Sequence, residues 1–213
     1  MVTTERRYVM ADLLEFPDDD DTLCDIVGGK LIVYNVPDLA HGLAASALSL
    51  LLGDAYRAGY GIALTNLHAV ALDFPAKGWA AEYVTHPDHS FVRRGRESIL
   101  GQRAVEGVPD LVVEVLSPST RDEHTAGGSI RGAYERFGVP HYWLVNLEHH
   151  TVEQNTLVGE PYRSGRYGDP VLLGEKDVLT CALFPTVSMP VAALFQYTGA
   201  RRSPGALVVW PGH

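Results

Sequence analysis

The sequence predicts a mixed α+β domain with one curved central sheet flanked by helices. Residues 39–56 repeat their apolar side chains at intervals of three and four, as an amphipathic helix does. Several short apolar runs have the length and boundaries of strands, and a second helical segment, 126–137, separates two of them. Length and composition agree, because 213 residues with 46% hydrophobic residues suffice for one sizeable core.

The N-terminal part of the chain is expected to form a hairpin followed by a long helix. Two apolar runs in residues 23–34 meet at Gly28 and Gly29. This pair favours a tight two-residue turn, because both central positions of such a turn need positive φ. The helical pattern of residues 39–56 ends at Gly59 and Gly61, which are stop signals for a helix.

The rest of the chain alternates short strands with turns and one further helix. The strand-like runs are residues 62–64, 67–74, 88–92, 110–116 and 138–145. A helix at about 126–137 joins the last two, and short strands with Gly/Pro turns continue to Phe184. No linker divides the chain, so we predict a single domain over residues 1–197 and a loosely held tail over 198–213.

The charge balance limits the classes of partner. The chain has 17 Lys+Arg against 26 Asp+Glu, and its formal net charge is −9. A surface of this sign repels nucleic acid as a whole, so DNA binding needs a local basic patch. The loop that contains Arg93, Arg94 and Arg96 is the best candidate for that patch, although three loop arginines are also common on ordinary surfaces.

Two further patterns bear on the cellular environment. Cys24 and Cys181 are far apart in sequence and fit neither a disulfide framework nor a zinc site, which favours a reducing compartment. No apolar run approaches the ~20 residues that a membrane span needs, so we expect a cytoplasmic protein without membrane contact. The four aspartates at 18–21 indicate an exposed acidic loop rather than a cation site, because adjacent carboxylates repel each other.

The candidate central strand carries two carboxylates where apolar residues are expected. Asp110 and Glu114 share one face of this strand with Val112, since side chains alternate with a period of two. Buried carboxylates are costly unless they are paired or bind a cation. Asp110 can cap the start of the strand or pair with an arginine, whereas Glu114 is the harder of the two to explain without a function.

A second acid can join Glu114 at the edge of the sheet. Asp88 follows Pro87 at the start of another predicted strand, and the carbonyl of Val115 adds a third oxygen. Oxygen ligands with spare water positions suit Mg²⁺ or Mn²⁺ better than zinc. The sequence therefore predicts a metal site formed by Asp88, Glu114 and Val115.

Other interpretations of Asp88 remain open at this point. An aspartate after proline is often only a turn residue. His86 and His89 flank Asp88 and could form a His/Asp metal site with it. One short turn rarely supplies three ligands to a single metal, so this second interpretation is the weaker one.

Several motifs, in order along the chain, resemble the Uma-two family of restriction-endonuclease-like proteins. The main motif is residues 109–120, PDLVVEVLSPST, followed by Tyr134 and by residues 138–146, GVPHYWLVN. The hairpin around Asp25, His41 at the start of the long helix, Asp88 after Pro87 and the segment 183–195 also match. The resemblance covers roughly residues 8–195.

This resemblance implies both a fold and an activity. The fold is the restriction-endonuclease-like core of the PD-(D/E)xK superfamily, often found in a homodimer, and the proposed activity is metal-dependent hydrolysis of DNA. Asp88 and Glu114 would hold the metal, and Asp25 corresponds to a glutamate of the family's hairpin. The expected catalytic group is therefore Asp25, Asp88 and Glu114 with a cationic residue.

The chain departs from the family at that cationic residue. The family usually carries a lysine about four residues before the tyrosine that matches Tyr134, where this chain has Ile130. Arg131 is the nearest basic residue and could offer charge to a phosphate, or it could be an ordinary surface arginine. An arginine does not readily deprotonate, so it could not replace lysine as a proton acceptor. His124 and Arg121 precede this helix and are further, weaker candidates.

Two functional hypotheses follow. The first is a Mg²⁺- or Mn²⁺-dependent endonuclease that hydrolyses DNA phosphodiester bonds. The second is a catalytically decayed relative, a homodimeric binding or scaffold module that keeps the fold without the lysine.

Overall fold

The computed structural model describes residues 6–15, 22–35, 38–66, 68–117 and 120–198. The predicted acidic loop at 18–21 lies outside these residues, as does the predicted tail beyond Thr198. The helices are α1 (Leu39–Arg57), α2 (Phe74–Lys77), α3 (Arg121–His124), α4 (Ser129–Phe137) and α5 (Ala192–Phe195), with short 3₁₀ segments at Met10–Leu14, Gly78–Ala80 and Glu97–Ile99. None of these helices is long and apolar enough to cross a membrane.

The strands form two main sheets and one small pair. They are β1 (Thr22–Val27), β2 (Lys30–Asn35), β3 (Gly61–Thr65), β4 (Ala69–Ala71), β5 (Tyr83–Thr85), β6 (His89–Arg93), β7 (Ala104–Val105), β8 (Leu111–Leu116), β9 (His141–Asn146), β10 (Thr151–Glu160), β11 (Ser164–Tyr167), β12 (Val171–Gly174), β13 (Val178–Thr180) and β14 (Ser188–Pro190). The larger sheet has the order β11-β10-β9-β8-β6-β3 with β12 also paired to β10, and the smaller has the order β2-β1-β5-β4-β7. Only the β8–β9 and β4–β7 pairs are parallel among those described.

The fold class is mixed α+β, as the sequence predicts. The predicted hairpin is β1 and β2, and both turn glycines have positive φ, 62° at Gly28 and 78° at Gly29. The sequence predicts one central sheet, whereas the hairpin lies in a second, five-stranded sheet. That sheet is built partly from strands of two or three residues, which are too short to carry a recognisable alternation.

Helix α1 covers one face of the larger sheet. Its buried residues Ala44, Leu48 and Leu52 belong to one apolar cluster with Leu111 and Val113 of β8. The helix begins after Asp38, whose Oδ1 accepts a hydrogen bond from the backbone N–H of His41 at 3.0 Å. This cap fixes the position of His41 in the first turn.

The opposite face of β8 packs against α4. Val112 and Leu116 share a second apolar cluster with Ile130 and Tyr134. Of the predicted helix at 126–137, only Ser129–Phe137 is helical, as α4; the short helix α3 precedes the predicted range, and Gly128 lies between the two helices. A Cβ at Gly128 would lie 2.2 Å from the Asp122 carbonyl oxygen, so the close approach of the two helices requires glycine.

Asp110, just before β8, is a buried ion-pair centre. Its Oδ2 accepts from the Arg96 Nη1–H at 2.7 Å and from the backbone N–H of Arg93 at 3.0 Å, and its Oδ1 accepts from the Tyr162 hydroxyl at 2.7 Å. The Arg96 guanidinium also lies over the Tyr162 ring, 3.7 Å from its centroid. Of the two interpretations that the sequence leaves open, the structure supports the pairing with arginine.

This arrangement changes the interpretation of the basic loop. Arg96 is largely buried against Asp110, and Arg93 Nε lies 3.2 Å from Asp110 Oδ1. Two of the three arginines predicted to contact phosphate therefore hold the start of β8 in place. Contact of Arg93, Arg94 and Arg96 with DNA stays a prediction.

Removal of the Asp110 carboxylate should destabilise the fold. The variant Asp110→Ala leaves the Arg96 guanidinium without its buried acceptor, and we expect the free energy of unfolding to fall by about 3 kcal/mol or more. Urea unfolding measures this change. Asp54→Ala is the control, because Asp54 pairs with Arg57 at the exposed surface, and its effect should stay within about 1 kcal/mol. Equal losses in the two variants would contradict the assignment.

Cys181 should be unreactive in the folded protein. This thiol lies in the cluster around α1, and burial raises its pKa to about 11 from an ordinary value of 9.0. At pH 8 its thiolate is therefore on the order of 100-fold scarcer than that of an exposed cysteine. Iodoacetamide labelling followed by peptide mass spectrometry should show slow modification of Cys181 in buffer and fast modification in urea. Equal rates in both solvents would contradict the burial of this thiol.

Candidate functional site

Asp88 and Glu114 meet where β6 separates from β8. The β6–β8 register begins at the pair His89 and Val113, so β6 offers no backbone partner to the residues of β8 beyond Val113. The Asp88 side chain takes that place, because its Oδ2 accepts from the backbone N–H of Val115 at 2.7 Å. In return, Glu114 Oε2 accepts from the backbone N–H of Asp88 at 3.2 Å. This reciprocal exchange holds the two carboxylates side by side.

Asp25 reaches the same region from the smaller sheet. It lies on β1, and its Oδ1 accepts from the backbone N–H of His86 at 2.8 Å and lies 3.1 Å from His86 Nδ1. The segment from His86 to Asp88 joins β5 to β6 and so connects the two sheets. Asp25, Asp88 and Glu114 are therefore collected at the junction of the sheets.

The environment of these acids is strongly unfavourable to further negative charge. Glu114 is only 6% exposed, and its pKa is raised well above the ordinary value by burial and then by the charges of Asp88 and Asp25. Burial and the same three carboxylates also raise the pKa of Tyr34, which hydrogen-bonds to Asp25. Carboxylates placed this close together favour a cation beside them.

Side chains of the surrounding helices contact the carboxylates. His41 Nε2 of α1 lies 3.0 Å from Asp88 Oδ2, and the Tyr134 hydroxyl of α4 donates to Glu114 Oε1 at 3.0 Å. His124 Nδ1 of α3 lies 3.0 Å from the Tyr142 hydroxyl and 3.8 Å from Glu114 Oε1. Each acid thus has a histidine beside it, since His86 contacts Asp25.

A small cavity opens between these side chains. Its volume is about 30 Å³, and its walls include Asp88, Glu114, Val115, His41 and His124. That space is sufficient for a water molecule or a cation of similar size. None of the described residues that line it is a lysine or an arginine.

The structure does not bring Arg131 to this cavity. Its guanidinium lies 3.4 Å from Glu153 Oε1 and 3.6 Å from Glu135 Oε1, and over the ring of Tyr167. Ile130, at the position of the family's lysine, is fully buried in the apolar cluster of α4. On this helix, Ile130 therefore packs in the core, and Arg131 forms ion pairs with Glu135 and Glu153.

The competing histidine site does not form either. His86 contacts Asp25, whereas His89 Nε2 lies 2.8 Å from Ser49 Oγ on α1. Burial lowers the pKa of His89 to about 4, so its imidazole is neutral at pH 7. No group of three or more His, Cys, Asp or Glu side chains among the described residues is arranged to hold a metal ion.

Sequence reasoning finds the acids but assigns no supporting role to the side chains that contact them. His41 appears in it only as a family match, and Tyr34 does not appear at all. The available signal for His41 is its place three residues after the capping residue Asp38, which puts it in the first turn of α1. For Tyr34 the signal is weaker, because the two-residue spacing from Ile32 only shows that these residues share a face of β2.

Comparison with known proteins agrees with this architecture. The solved structure described as "a putative nuclease belonging to DUF820 from Anabaena variabilis ATCC 29413" matches with a TM-score of 0.63 and 15% sequence identity, over 90% of this chain and 99% of that chain. At this identity the match concerns the fold, which is restriction-endonuclease-like as predicted. Among curated proteins, none matches the chain.

The family comparison covers most of the chain. The model of the Uma2 family, described as "Putative restriction endonuclease", matches residues 10–192. Those residues include β1 with Asp25, the β5–β6 connection with Asp88, and β8 with Glu114. The chain therefore belongs to the Uma2 family, which is the Uma-two family that its motifs resemble.

Proposed function

We propose that this protein is a divalent-cation-dependent nuclease that hydrolyses DNA phosphodiester bonds at the cavity beside Asp88 and Glu114. One observation carries the proposal: two carboxylates, one directly before β6 and one on β8, line one small cavity, and a third carboxylate raises the pKa of the one on β8. Family membership supports the reaction class, because the family is described as "Putative restriction endonuclease".

The donors fit Mg²⁺ or Mn²⁺. Mg²⁺ keeps several waters and usually binds one or two protein carboxylates together with phosphate oxygens. Asp88 and Glu114 supply that number of carboxylates, which is consistent with the lack of a group of three ligating side chains among the described residues. The N–H of Val115 points to Asp88, and because a strand residue directs N–H and C=O to the same side, its carbonyl faces the same edge.

His41 and Tyr134 orient the two carboxylates that would bind the cation. A bound divalent cation would supply positive charge beside the scissile phosphate and would lower the pKa of a water ligand. His41 holds Oδ2 of Asp88, and the Tyr134 hydroxyl holds Oε1 of Glu114. Both carboxylates are thus fixed before any ligand arrives, which reduces the reorganisation that binding requires.

The alternative function is a homodimeric binding or scaffold module with a decayed site. The observation that favours it is the burial of Ile130 together with the pairing of Arg131 to Glu135 and Glu153. The side chain at position 130 is therefore uncharged, and the charge of Arg131 is directed to Glu135 and Glu153. The alternative predicts an intact fold that binds neither Mg²⁺ nor Mn²⁺ at Asp88.

Cleavage of DNA should require Glu114. The variant Glu114→Gln keeps the shape of the side chain and removes its charge, so the fold should persist while turnover falls on the order of 100-fold or more. Incubation of a labelled oligonucleotide with Mn²⁺ or Mg²⁺ measures the rate. Glu148→Gln is the matched control, because Glu148 is exposed and pairs only with Arg121 among its described contacts. A wild-type protein that leaves DNA uncut, or equal rates for both variants, would overturn the proposal.

Binding of Mn²⁺ should depend on Asp88. Calorimetric titration of the wild-type protein with Mn²⁺ is expected to show one weak site, and Asp88→Asn should lose it because one of the two carboxylate ligands is gone. The thermal unfolding of the variant shows that the fold is retained. If the wild-type protein binds no Mn²⁺, the decayed-module alternative is favoured instead.

A further inference from the structure

A second cavity lies on the other side of α3 from the candidate site. Its volume is about 270 Å³, and we call it the α3 cleft. Thr120 and His124, four residues apart, line the small cavity beside the acids, whereas Arg121 and Thr125 line the cleft. Helical spacing places each of these pairs on a face of its own. The short helix α3 therefore separates two neighbouring cavities.

The α3 cleft is close to the carboxylates along β8. Leu116, which lines the cleft, is two residues beyond Glu114 on this strand, a distance of about 7 Å. Its parallel partner on β9 is Asn146, which lines the cleft as well. The cleft therefore lies at the carboxyl ends of two parallel strands, where ligands of open sheets commonly bind.

Arg121 gives the cleft a permanent positive charge. Its Nη2–H donates to Glu148 Oε2 at 2.9 Å, and this pair is open to solvent, because the side chains are 38% and 61% exposed. Its Nε–H is buried and has no acceptor among the described residues. An exposed ion pair is weak, so the fold leaves the guanidinium available to a stronger acceptor than Glu148.

The amide of Asn146 adds a donor to the cleft. Its Oδ1 accepts from the backbone N–H groups of Glu148 and His149, at 3.0 and 3.1 Å. Both lone pairs of that oxygen are thus in use, and the group that Asn146 can still offer a ligand is its NH₂.

The described carboxylate that lines the cleft is already engaged. Glu153 Oε1 accepts from Arg131 Nη1–H at 3.4 Å and from Asn155 Nδ2–H at 2.9 Å. The charge of Arg131 therefore offsets that of Glu153, and the charge of Arg121 is left to attract a ligand. The donors of the cleft match a ligand that is anionic and accepts hydrogen bonds.

We propose that the α3 cleft binds a phosphate group of the substrate strand, about two nucleotides from the scissile bond, through the guanidinium of Arg121. Phosphate oxygens are anionic acceptors, and an arginine can bind two of them at once. Phosphates advance by about 3.4 Å per nucleotide along the axis of DNA, so the distance of about 7 Å from Glu114 to Leu116 corresponds to about two nucleotides. The inference rests on the proposed function, because it takes the cavity beside Glu114 as the place of cleavage.

This contact supplies a charge that the first cavity lacks. No lysine or arginine is among the described residues that line that cavity, and the chain as a whole carries a net charge of −9. A cation directly across α3 attracts the strand without entering the space between the two acids. Phosphate contacts of this kind fix the position of a nucleic acid on a protein.

The test measures DNA binding in the absence of cleavage. Fluorescence anisotropy of a labelled duplex oligonucleotide, with the full-length protein in EDTA at several NaCl concentrations, gives the slope of log K against log[salt]. We expect Arg121→Gln to reduce the magnitude of this slope by about 0.9, the share of one phosphate contact, and to weaken binding at the lowest salt by about tenfold. An unchanged slope, or no binding by the wild-type protein, would overturn the inference.

Two further variants assign the loss to this contact. Arg57→Gln removes a charge from an exposed pair with Asp54 and should leave the slope as in the wild type. Arg121→Lys keeps the charge and loses the planar fork, so it should restore the slope while the affinity stays several-fold lower. Thermal unfolding checks that all variants are folded. If Arg57→Gln lowers the slope as much as Arg121→Gln does, the effect is one of overall charge and the inference is wrong.

A free phosphate ion is the other source of the same chemistry. NMR titration with inorganic phosphate follows the Nε–H signal of Arg121, and the oligonucleotide is then added. The inference expects weak phosphate binding that DNA displaces. Phosphate that stays bound in the presence of saturating DNA would assign the cleft to a free anion and contradict the inference.

The outcomes separate this inference from the proposed function. A protein that binds DNA through Arg121 and leaves it uncut would retain the phosphate site and lose the nuclease. If the protein cleaves DNA, an uncharged methylphosphonate about two nucleotides from a bond should slow cleavage of that bond by the wild type and have little further effect on Arg121→Gln. Equal slowing of both proteins would leave the nuclease intact and remove the phosphate site.

Discussion

The candidate site depends on one reciprocal pair of hydrogen bonds between the start of β6 and the end of β8. Asp88 accepts from the Val115 N–H, and Glu114 accepts from the Asp88 N–H. The pair forms where the pairing of β6 with β8 has stopped, so the two carboxylates accept hydrogen bonds from backbone N–H groups that have no partner strand there. Because the chain passes from one sheet to the other at this point, the same two bonds position the acids where the sheets meet.

Apolar packing positions the helices around this pair, and polar side chains of those helices contact the two acids. Apolar clusters on both faces of β8 hold α1 and α4 against the sheet. Each helix then brings one polar group to the junction, His41 from α1 and Tyr134 from α4. The stability of the two clusters is therefore also what aligns the donors of the site, and repacking of either face would shift a carboxylate partner.

Much of the fold and the three acids could be predicted from the sequence, because the features that identify them are local. The hairpin follows from the φ requirement at Gly28 and Gly29, α1 from its apolar period, and the importance of Glu114 from a carboxylate in an apolar strand. Contacts between distant segments leave no comparable trace. The pairing of Arg131 with Glu153 and the commitment of Arg96 to Asp110 depend on which strands become neighbours, which charge and spacing alone do not reveal.

The burial of Ile130 has a consequence for the balance of charge around the two acids. With an apolar side chain at this position, the described residues that line the cavity include neither a lysine nor an arginine. The side chains that contact Asp88 and Glu114 include those of His41 and Tyr134. A permanent positive charge beside the two acids would therefore have to come from outside the described lining of the cavity.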